Sequence, residues 1–209
     1  MNPKVEFHFD FGSPNAFLAH QVIPEIESRT GVTFQYVPVL LGGVFKATNN
    51  TAEARSLAGI KNKSEYQSLE MQRFVAKHGL MLNFNPHFPV NTLQIMRGAV
   101  AAQKIGLETF RQYVDVVFNA MWLEPKKMDE QDVISAVLSL NAIAVTAAQS
   151  SAPEVKAELI ANTEDSVNRG TFGSPSFFVG RELFFGKDRL YDLEQEIIFQ
   201  QSSGEASSG

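Results

Sequence analysis

The chain has 209 residues, enough for one large domain or a small domain with a sizeable insertion, and its 44% hydrophobic content is ordinary for a globular protein. It contains no cysteine, which excludes disulfides, thiolate zinc sites and any redox reaction of the protein's own thiols. The net charge of −5 comes without a clustered basic run, and no apolar stretch reaches the roughly 20 residues of a membrane span, so we expect a cytoplasmic protein with neither a nucleic-acid nor a membrane partner.

The first 40 residues have the pattern of a β-α-β unit. Residues 5–11 place apolar side chains at every second position, which predicts a strand. A Gly-Ser-Pro break follows, and Pro14 suits the first turn of a helix because its missing N–H would be unpaired there anyway. Helical spacing continues to Gly31, and residues 33–39 predict a second strand. A unit of this length favours a parallel strand pair joined by a right-handed crossover.

The middle of the chain, residues 44–170, carries helical spacing and few strand signals. Strand patterns return afterwards, so we interpret this stretch as a large all-helical insertion domain and not as an independent unit. A Pro-flanked loop, residues 85–89, interrupts it. The predicted helices are Tyr66–His78, Val90–Ile105, Leu107–Trp122, Asp129–Leu140 and Ala152–Arg169.

The end of the chain predicts a hairpin and a last helix. Strand patterns at Ser176–Gly180 and Glu182–Phe185 enclose a two-residue turn, and a helix is predicted from Asp188 to about Phe199. The polar, Gly/Ser-rich residues 201–209 are predicted to be a disordered tail. The order β-α-β, helices, β-β-α predicts an α/β protein with a thioredoxin-like fold split by the insertion. The predicted domains are residues 1–43 with 171–200, and residues 44–170.

Ser13 is the first candidate for chemistry. Its plain interpretation is a helix N-cap whose oxygen accepts an N–H of the first turn. Its functional interpretation rests on its place at the carboxyl end of the first strand, where α/β sheets bind ligands, and on Gly12, which allows close backbone approach. Helix-start N–H groups and a hydroxyl donor would favour an anion such as a thiolate. Ser13 itself would be a poor nucleophile, because no base in the motif is placed to activate it.

Ser174 and Pro175 form the second candidate, at the opening of a buried strand. An ordinary trans turn is the default for such a bond. We predict a cis bond instead, from its place at a tight turn opposite Ser13. In that geometry Ser174 would present its backbone N–H and C=O to a short peptide ligand, which could pair with it like an added strand.

Five segments in this order resemble the 2-hydroxychromene-2-carboxylate isomerases, within the DsbA-like and kappa-class glutathione transferase group. Together they run over nearly the whole chain except the tail. The resemblance implies glutathione as cofactor and an isomerase of aromatic hydrocarbon breakdown. Its thiolate would add reversibly to a conjugated aromatic keto-acid, whose double bond becomes single, rotates and re-forms. A homodimer would fit the family. The segments are FDFGSP at 9–14, PVLLGGVF at 38–45, NTL at 91–93 with MRGA at 96–99, FGSPSFFV at 172–179 and FFGKDRL at 184–190.

The resemblance also implies roles for particular residues. Ser13 would hydrogen-bond the glutathione sulfur, and Ser174, before Pro175, would pair with the cysteinyl backbone. Asp188 would hold the γ-glutamyl ammonium. The residues around Asp188 would be Phe185, Gly186, Lys187 and Arg189, and the candidates on the substrate side are Gly43, Asn49, Asn50 and His87.

Two other functions fit the same residues: a kappa-like glutathione transferase that releases a conjugate, and a non-catalytic protein that binds glutathione or a peptide. No histidine pair has metal-ligand spacing, so we expect no metal. Lys46 and Arg55 follow a Gly-Gly pair, and either could meet an anionic substrate or a glutathione carboxylate. Asp10, at the end of the first strand, is interpreted as structural and not as a general base.

Overall fold

A computed structural model of the chain describes residues 2–52 and 59–206. Both ends of the chain contribute to one mixed four-stranded sheet with the order β2-β1-β3-β4. β1 pairs parallel with β2 and antiparallel with β3, and β3 pairs antiparallel with β4, which confirms the predicted β-α-β unit and hairpin. The strands are β1 Val5–Phe9, β2 Phe34–Pro38, β3 Ser176–Val179 and β4 Glu182–Phe185.

The helices of the described ranges fall between and around these strands. Helices are present where the sequence predicts them, with bounds that differ by a few residues. Two short helices, α2 and α7, were not indicated by the sequence pattern. The helices are α1 Pro14–Thr30, α2 Leu41–Thr48, α3 Lys63–Lys77, α4 Leu93–Ile105, α5 Leu107–Trp122, α6 Gln131–Leu140, α7 Ala147–Ser150, α8 Pro153–Asn168 and α9 Leu190–Ala206, with a 3-10 turn at Lys187–Arg189 before α9.

Helix α2 crosses the domain boundary drawn from the sequence. The boundary at residue 43 falls inside α2, because the helix contains both Gly42 and Gly43. Glycine weakens a helix, so its first turn needs outside support, and the carboxylate of Asp10 accepts the N–H of Leu41 there at 2.7 Å. We still propose two domains, a thioredoxin-like one from the two ends of the chain and a helical one between them.

The prediction of a disordered tail is wrong for residues 201–206, which continue α9. The side-chain amide of Gln201 donates to Asn2 and to the carbonyl of Thr30, both at 2.9 Å, and so attaches the helix to the body beyond Phe199. This tertiary contact outweighs the weak helix preference of the Gly/Ser-rich sequence. Residues 207–209 lie outside the described residues.

The two faces of β1 have different chemistry, and both are buried. The apolar face carries Phe7 and Phe9, whose rings pack against Phe177 of β3 and Phe118 of α5. Full burial of each such ring stabilises the fold by roughly 1.5–3 kcal/mol. The strand alternation predicted from sequence is therefore confirmed, and this face forms the centre of the core.

The polar face of β1 lies under α8. Arg169, at the end of α8, donates to Glu6 at 2.6 Å, and the Nδ1 of His8 lies 2.8 Å from the Oγ of Ser166. Burial lowers the pKa of His8 to about 4, and the neighbouring Glu6 only partly opposes this. His8 is therefore held in its neutral form near neutral pH.

We expect His8 to make the protein less stable as the pH falls from 6.5 to 4. In that window the unfolded chain protonates this histidine, whereas the folded chain does so only near pH 4. The loss should approach roughly 3 kcal/mol, since one pKa unit corresponds to about 1.4 kcal/mol. Urea unfolding of the wild type and His8→Gln across this range tests it, because other groups are shared and the difference isolates His8. Parallel pH profiles for the two proteins would contradict the prediction.

Candidate functional site

Two helix N-termini meet at the carboxyl end of β1. Ser13 caps α1, and its Oγ accepts the N–H of Ala16 at 3.1 Å. Asp10 caps α2, where its Oδ2 accepts the N–H of Leu41 at 2.7 Å. The four residues between β1 and α1 therefore place one hydroxyl and one carboxylate at two positive helix ends.

Ser13 and Ser174 are in direct contact, although 161 positions separate them in the chain. The Oγ of Ser13 donates to the carbonyl of Ser174 at 2.8 Å, and the backbone N–H of Asp10 donates to the Oγ of Ser174 at 3.1 Å. The Ser174–Pro175 peptide bond is cis, as predicted. Ser13 and Ser174 retain only 5% and 8% of their surface, so the pair lies at the base of any ligand site here.

The backbone of Ser174 is only half used. Its carbonyl accepts the Ser13 hydroxyl, but its N–H donates no hydrogen bond within the described ranges. A free N–H next to a hydroxyl can pair with the backbone of an extended peptide. The geometry therefore offers two donors side by side, one from a hydroxyl and one from the main chain.

Asp10 is completely buried and joins three parts of the chain. Its Oδ1 accepts the N–H of Gly12 at 2.8 Å, and its Oδ2 accepts both the N–H of Leu41 and the hydroxyl of Thr92, at 3.0 Å. Burial raises the pKa of the Asp10 carboxyl, while these three donors oppose that effect by stabilising the carboxylate. These contacts fit the structural interpretation of Asp10 made from the sequence.

Residues of the helical segment hold the turn after β1 from the other side. The N–H of Phe11 points to the Sδ of Met96 at 3.4 Å, and the indole of Trp122 donates to the carbonyl of Phe11 at 2.8 Å. The sequence gives no role to Thr92, Met96 or Trp122. The resemblance segment at 91–99 contains two of them, which is the one signal that could have pointed to this contact.

The residues predicted to bind the γ-glutamyl group lie next to the Ser174–Pro175 turn. The N–H of Gly186 donates to the carbonyl of Pro175 at 3.0 Å, which brings the 3-10 turn to the site. Asp188 is 69% exposed and pairs with the buried Lys187 at 2.7 Å. Arg189 instead pairs with Asp192 of α9, and Phe185 packs against Phe172 with ring centroids 4.4 Å apart.

The four substrate-side candidates do not come together in the same way. The side-chain amide of Asn50 donates to the carbonyl of Phe172 at 2.9 Å, so Asn50 reaches the loop that carries Ser174. Asn49 ends α2 in a left-handed conformation. Gly43 faces α8, and His87 lies in the 85–89 loop with an exposed side chain. Arg55 lies outside the described residues.

Two further findings concern metals and membranes. Within residues 2–52 and 59–206, no group of three or more His, Asp or Glu side chains is arranged to hold a metal ion. No helix in those ranges is long and apolar enough to cross a membrane.

The sheet, the helix-start Ser13 and the cis Ser174–Pro175 bond define a thioredoxin-like protein with serine where a redox cysteine could stand. Residues 4–198 match the family described as the DSBA-like thioredoxin domain. The chain belongs to this family.

Relatives with names divide into two activities. A 2-hydroxychromene-2-carboxylate isomerase of Pseudomonas putida is 29% identical over 201 residues, covering 92% of this chain and 93% of the relative. Glutathione S-transferase kappa 1 of Caenorhabditis elegans is 26% identical and covers 93% and 92%. These names confirm the resemblance found in the sequence and agree with the expectation of an enzyme.

Solved structures confirm the thioredoxin-like fold. The structure of a 2-hydroxychromene-2-carboxylate isomerase superposes with a TM-score of 0.79 at 28% identity, over 98% of both chains. DsbA of Pseudomonas aeruginosa superposes with a TM-score of 0.57 at 14% identity, over 98% of this chain and 86% of that one, and supports the fold alone.

We expect Asp10→Asn to lower the free energy of unfolding by about 1–3 kcal/mol. Each carboxylate oxygen of Asp10 accepts at least one hydrogen bond. In either orientation of the asparagine amide, its NH₂ group would therefore face another hydrogen-bond donor. Urea unfolding at neutral pH measures the loss. Asp132→Asn, an exposed aspartate in α6, is the matched control and should behave as wild type. Equal stability of the two variants would show that the Asp10 contacts contribute nothing.

Proposed function

We propose that the chain is a glutathione-dependent isomerase of the 2-hydroxychromene-2-carboxylate type, acting on a conjugated aromatic keto-acid. The observation that carries the proposal is the contact between the Ser13 hydroxyl and the Ser174 carbonyl at the start of α1. This contact puts a donor for a sulfur atom beside a backbone that can pair with a peptide. The names of the isomerase relatives support the reaction class.

The residues present fit glutathione. The free N–H of Ser174 would pair with the cysteinyl backbone, and the exposed carboxylate of Asp188 would hold the γ-glutamyl ammonium. Lys187 is buried, with its ammonium 5.1 Å from the ring centre of Phe74, so we place it behind Asp188 as an orienting partner. Phe185, Gly186 and Arg189 would border the γ-glutamyl group. Of these four residues, Asp188 alone would supply the negative charge that its ammonium needs.

Glutathione, when bound, would supply the thiolate nucleophile that this cysteine-free chain does not have. The task of the protein is to keep that sulfur ionised and in position. Ser13 can do so by turning its hydroxyl proton from the Ser174 carbonyl to the sulfur, while its oxygen still caps α1. The positive end of α1 adds to the same effect.

We predict that Ser13→Ala lowers turnover far more than it lowers glutathione affinity. Loss of a hydrogen bond to a charged group costs about 1.5–3 kcal/mol, which is roughly a 10- to 100-fold drop in turnover at pH 7. Most contacts to the tripeptide, at Ser174 and Asp188, would remain. Turnover should recover partly at higher pH, and the thiolate absorbance of bound glutathione should shift in parallel.

Ser13→Gly is the matched control for the cap. Glycine at an N-cap costs only a few tenths of a kcal/mol, so this variant loses the hydroxyl and keeps the helix start. Both variants should lose turnover to a similar extent. Full turnover in Ser13→Gly with a hydroxychromene or benzylidene-pyruvate substrate would make Ser13 a helix cap only.

Asp188→Asn should weaken glutathione binding by roughly tenfold in a calorimetric titration. A charge-assisted hydrogen bond contributes about 1.5–3 kcal/mol, and the exposure of Asp188 puts the effect at the lower end. Asp192→Asn, which removes the partner of Arg189 in the next turn, is the matched control and should bind as wild type. An unchanged dissociation constant for Asp188→Asn would mean that the ammonium is held elsewhere.

The wild-type titration decides between the candidate functions. Absence of binding at millimolar glutathione would overturn the proposal that glutathione is the cofactor. The second candidate, a kappa-like transferase, is favoured by the relative of that name, and formation of stable conjugates without isomerisation would select it. Glutathione binding with neither activity would leave a non-catalytic binding protein. A cytoplasmic location and a homodimer stay predictions.

A further inference from the structure

Helix α3 lies beside the residues predicted to bind the γ-glutamyl group, although it comes from the helical middle of the chain. Along its described length, Lys63–Lys77, it has no fully buried residue, and its apolar side chains, among them Phe74 and Val75, are only partly buried against the core. The ring of Phe74 meets the ammonium of Lys187, with 5.1 Å between the Nζ and the ring centre. A helix with little buried surface is therefore in contact with the 3-10 turn at the site.

Lys187 carries a buried charge. It retains only 5% of its surface, and a lysine is rarely buried to this extent unless its charge is compensated. Within residues 2–52 and 59–206, its Nζ donates one hydrogen bond, to the Oδ1 of Asp188 at 2.7 Å. The Phe74 ring is a second compensating neighbour, because an aromatic face attracts a cation within about 6 Å. The ammonium is thereby held between a ring and a carboxylate.

This contact leaves one oxygen of Asp188 for a ligand. The Oδ1 is paired with Lys187, and the Oδ2 accepts no hydrogen bond from the part of the chain that the structure describes. The Asp188 side chain is 69% exposed, so its pairing with Lys187 is what limits its rotation. An ordered carboxylate binds an ammonium better than a mobile one, because the ligand does not have to immobilise the side chain on binding.

We propose that Phe74 is a positioning residue for recognition of the γ-glutamyl ammonium, acting on the ligand through Lys187 and Asp188. The inference rests on the proposed binding of glutathione and deepens it, since it adds a helix from the middle of the chain to glutathione-binding residues that come from its two ends. Without the ring, the Lys187 ammonium would keep a single partner and would move towards water. Asp188 would then lose its fixed orientation. Its gain in free negative charge would be small, because water screens an exposed carboxylate.

Calorimetric titration of glutathione into Phe74→Leu tests the proposal, because leucine keeps an apolar side chain and removes the ring. We expect the dissociation constant to rise roughly two- to tenfold, which is the cost of ordering one side chain on binding. γ-Glutamylcysteine, which keeps the γ-glutamyl group and lacks the glycine, should lose affinity by the same factor. Phe74→Tyr keeps the ring and should retain most of the affinity.

Two comparisons separate this role from simple packing of α3. Val75→Ala removes apolar contacts at the neighbouring position and should bind glutathione as wild type. Phe74→Leu combined with Asp188→Asn should bind no more weakly than Asp188→Asn alone, because both residues act through one contact. Equal weakening by Val75→Ala and Phe74→Leu, or additive losses in the double variant, would overturn the proposal.

The outcomes also separate this inference from the proposed function. If the wild type binds no glutathione, the proposed cofactor fails and the role of Phe74 fails with it. If the wild type binds glutathione and Phe74→Leu binds it equally well, only the role of Phe74 is overturned. Phe74→Met, whose flexible side chain fills similar space, carries the same test if Phe74→Leu does not fold, and circular dichroism reports the fold of each variant.

Discussion

The buried carboxylate of Asp10 is the constraint on which the arrangement of the site depends. It is fully buried, and its three donors come from the turn after β1, the start of α2 and the start of α4. A buried carboxylate is costly unless such donors surround it, so each of the three segments must be in place for the others to be stable. The helical segment and the sheet are thereby joined at the residue that precedes the Ser13 turn.

Capping and chemistry are not alternatives for Ser13. Its oxygen accepts from Ala16, which is the capping contact, while its proton is given to Ser174 and can be given to a ligand instead. A hydroxyl has one donor and two acceptor positions, so one side chain can do both. If the Ser13 hydroxyl donates to a sulfur atom instead, the Ser174 carbonyl loses its hydrogen-bond donor. A backbone N–H of a bound peptide can replace that donor. This argument favours a cysteinyl peptide over a small thiol as the ligand that we propose.

The sequence predicts those parts of the fold that depend on local pattern. The alternation of residues 5–11, the long helices and the hairpin at 176–185 are set by periodicity and turn residues, and each is present. Helix α2 is stabilised by a contact with Asp10 from 31 positions away, and residues 201–206 by Gln201 contacts that are longer still in sequence. A cavity between α2, α4 and α8, which Arg97 lines, is formed by helices that lie far apart in the sequence. Periodicity carries no information about such long-range contacts.

The two helix N-termini at the site differ in whether the chain supplies a negative charge to compensate them. This difference favours an anion from outside the chain at one of them. The start of α2 is already neutralised by Asp10. The start of α1 is capped by the neutral Ser13, and its first turn contains no acidic residue. Its positive end is therefore not compensated by the chain itself. The proposed thiolate of glutathione would supply the missing negative charge at this position. A thiolate held there would lie near the Asp10 carboxylate, whose negative charge is already stabilised by three hydrogen-bond donors of the chain.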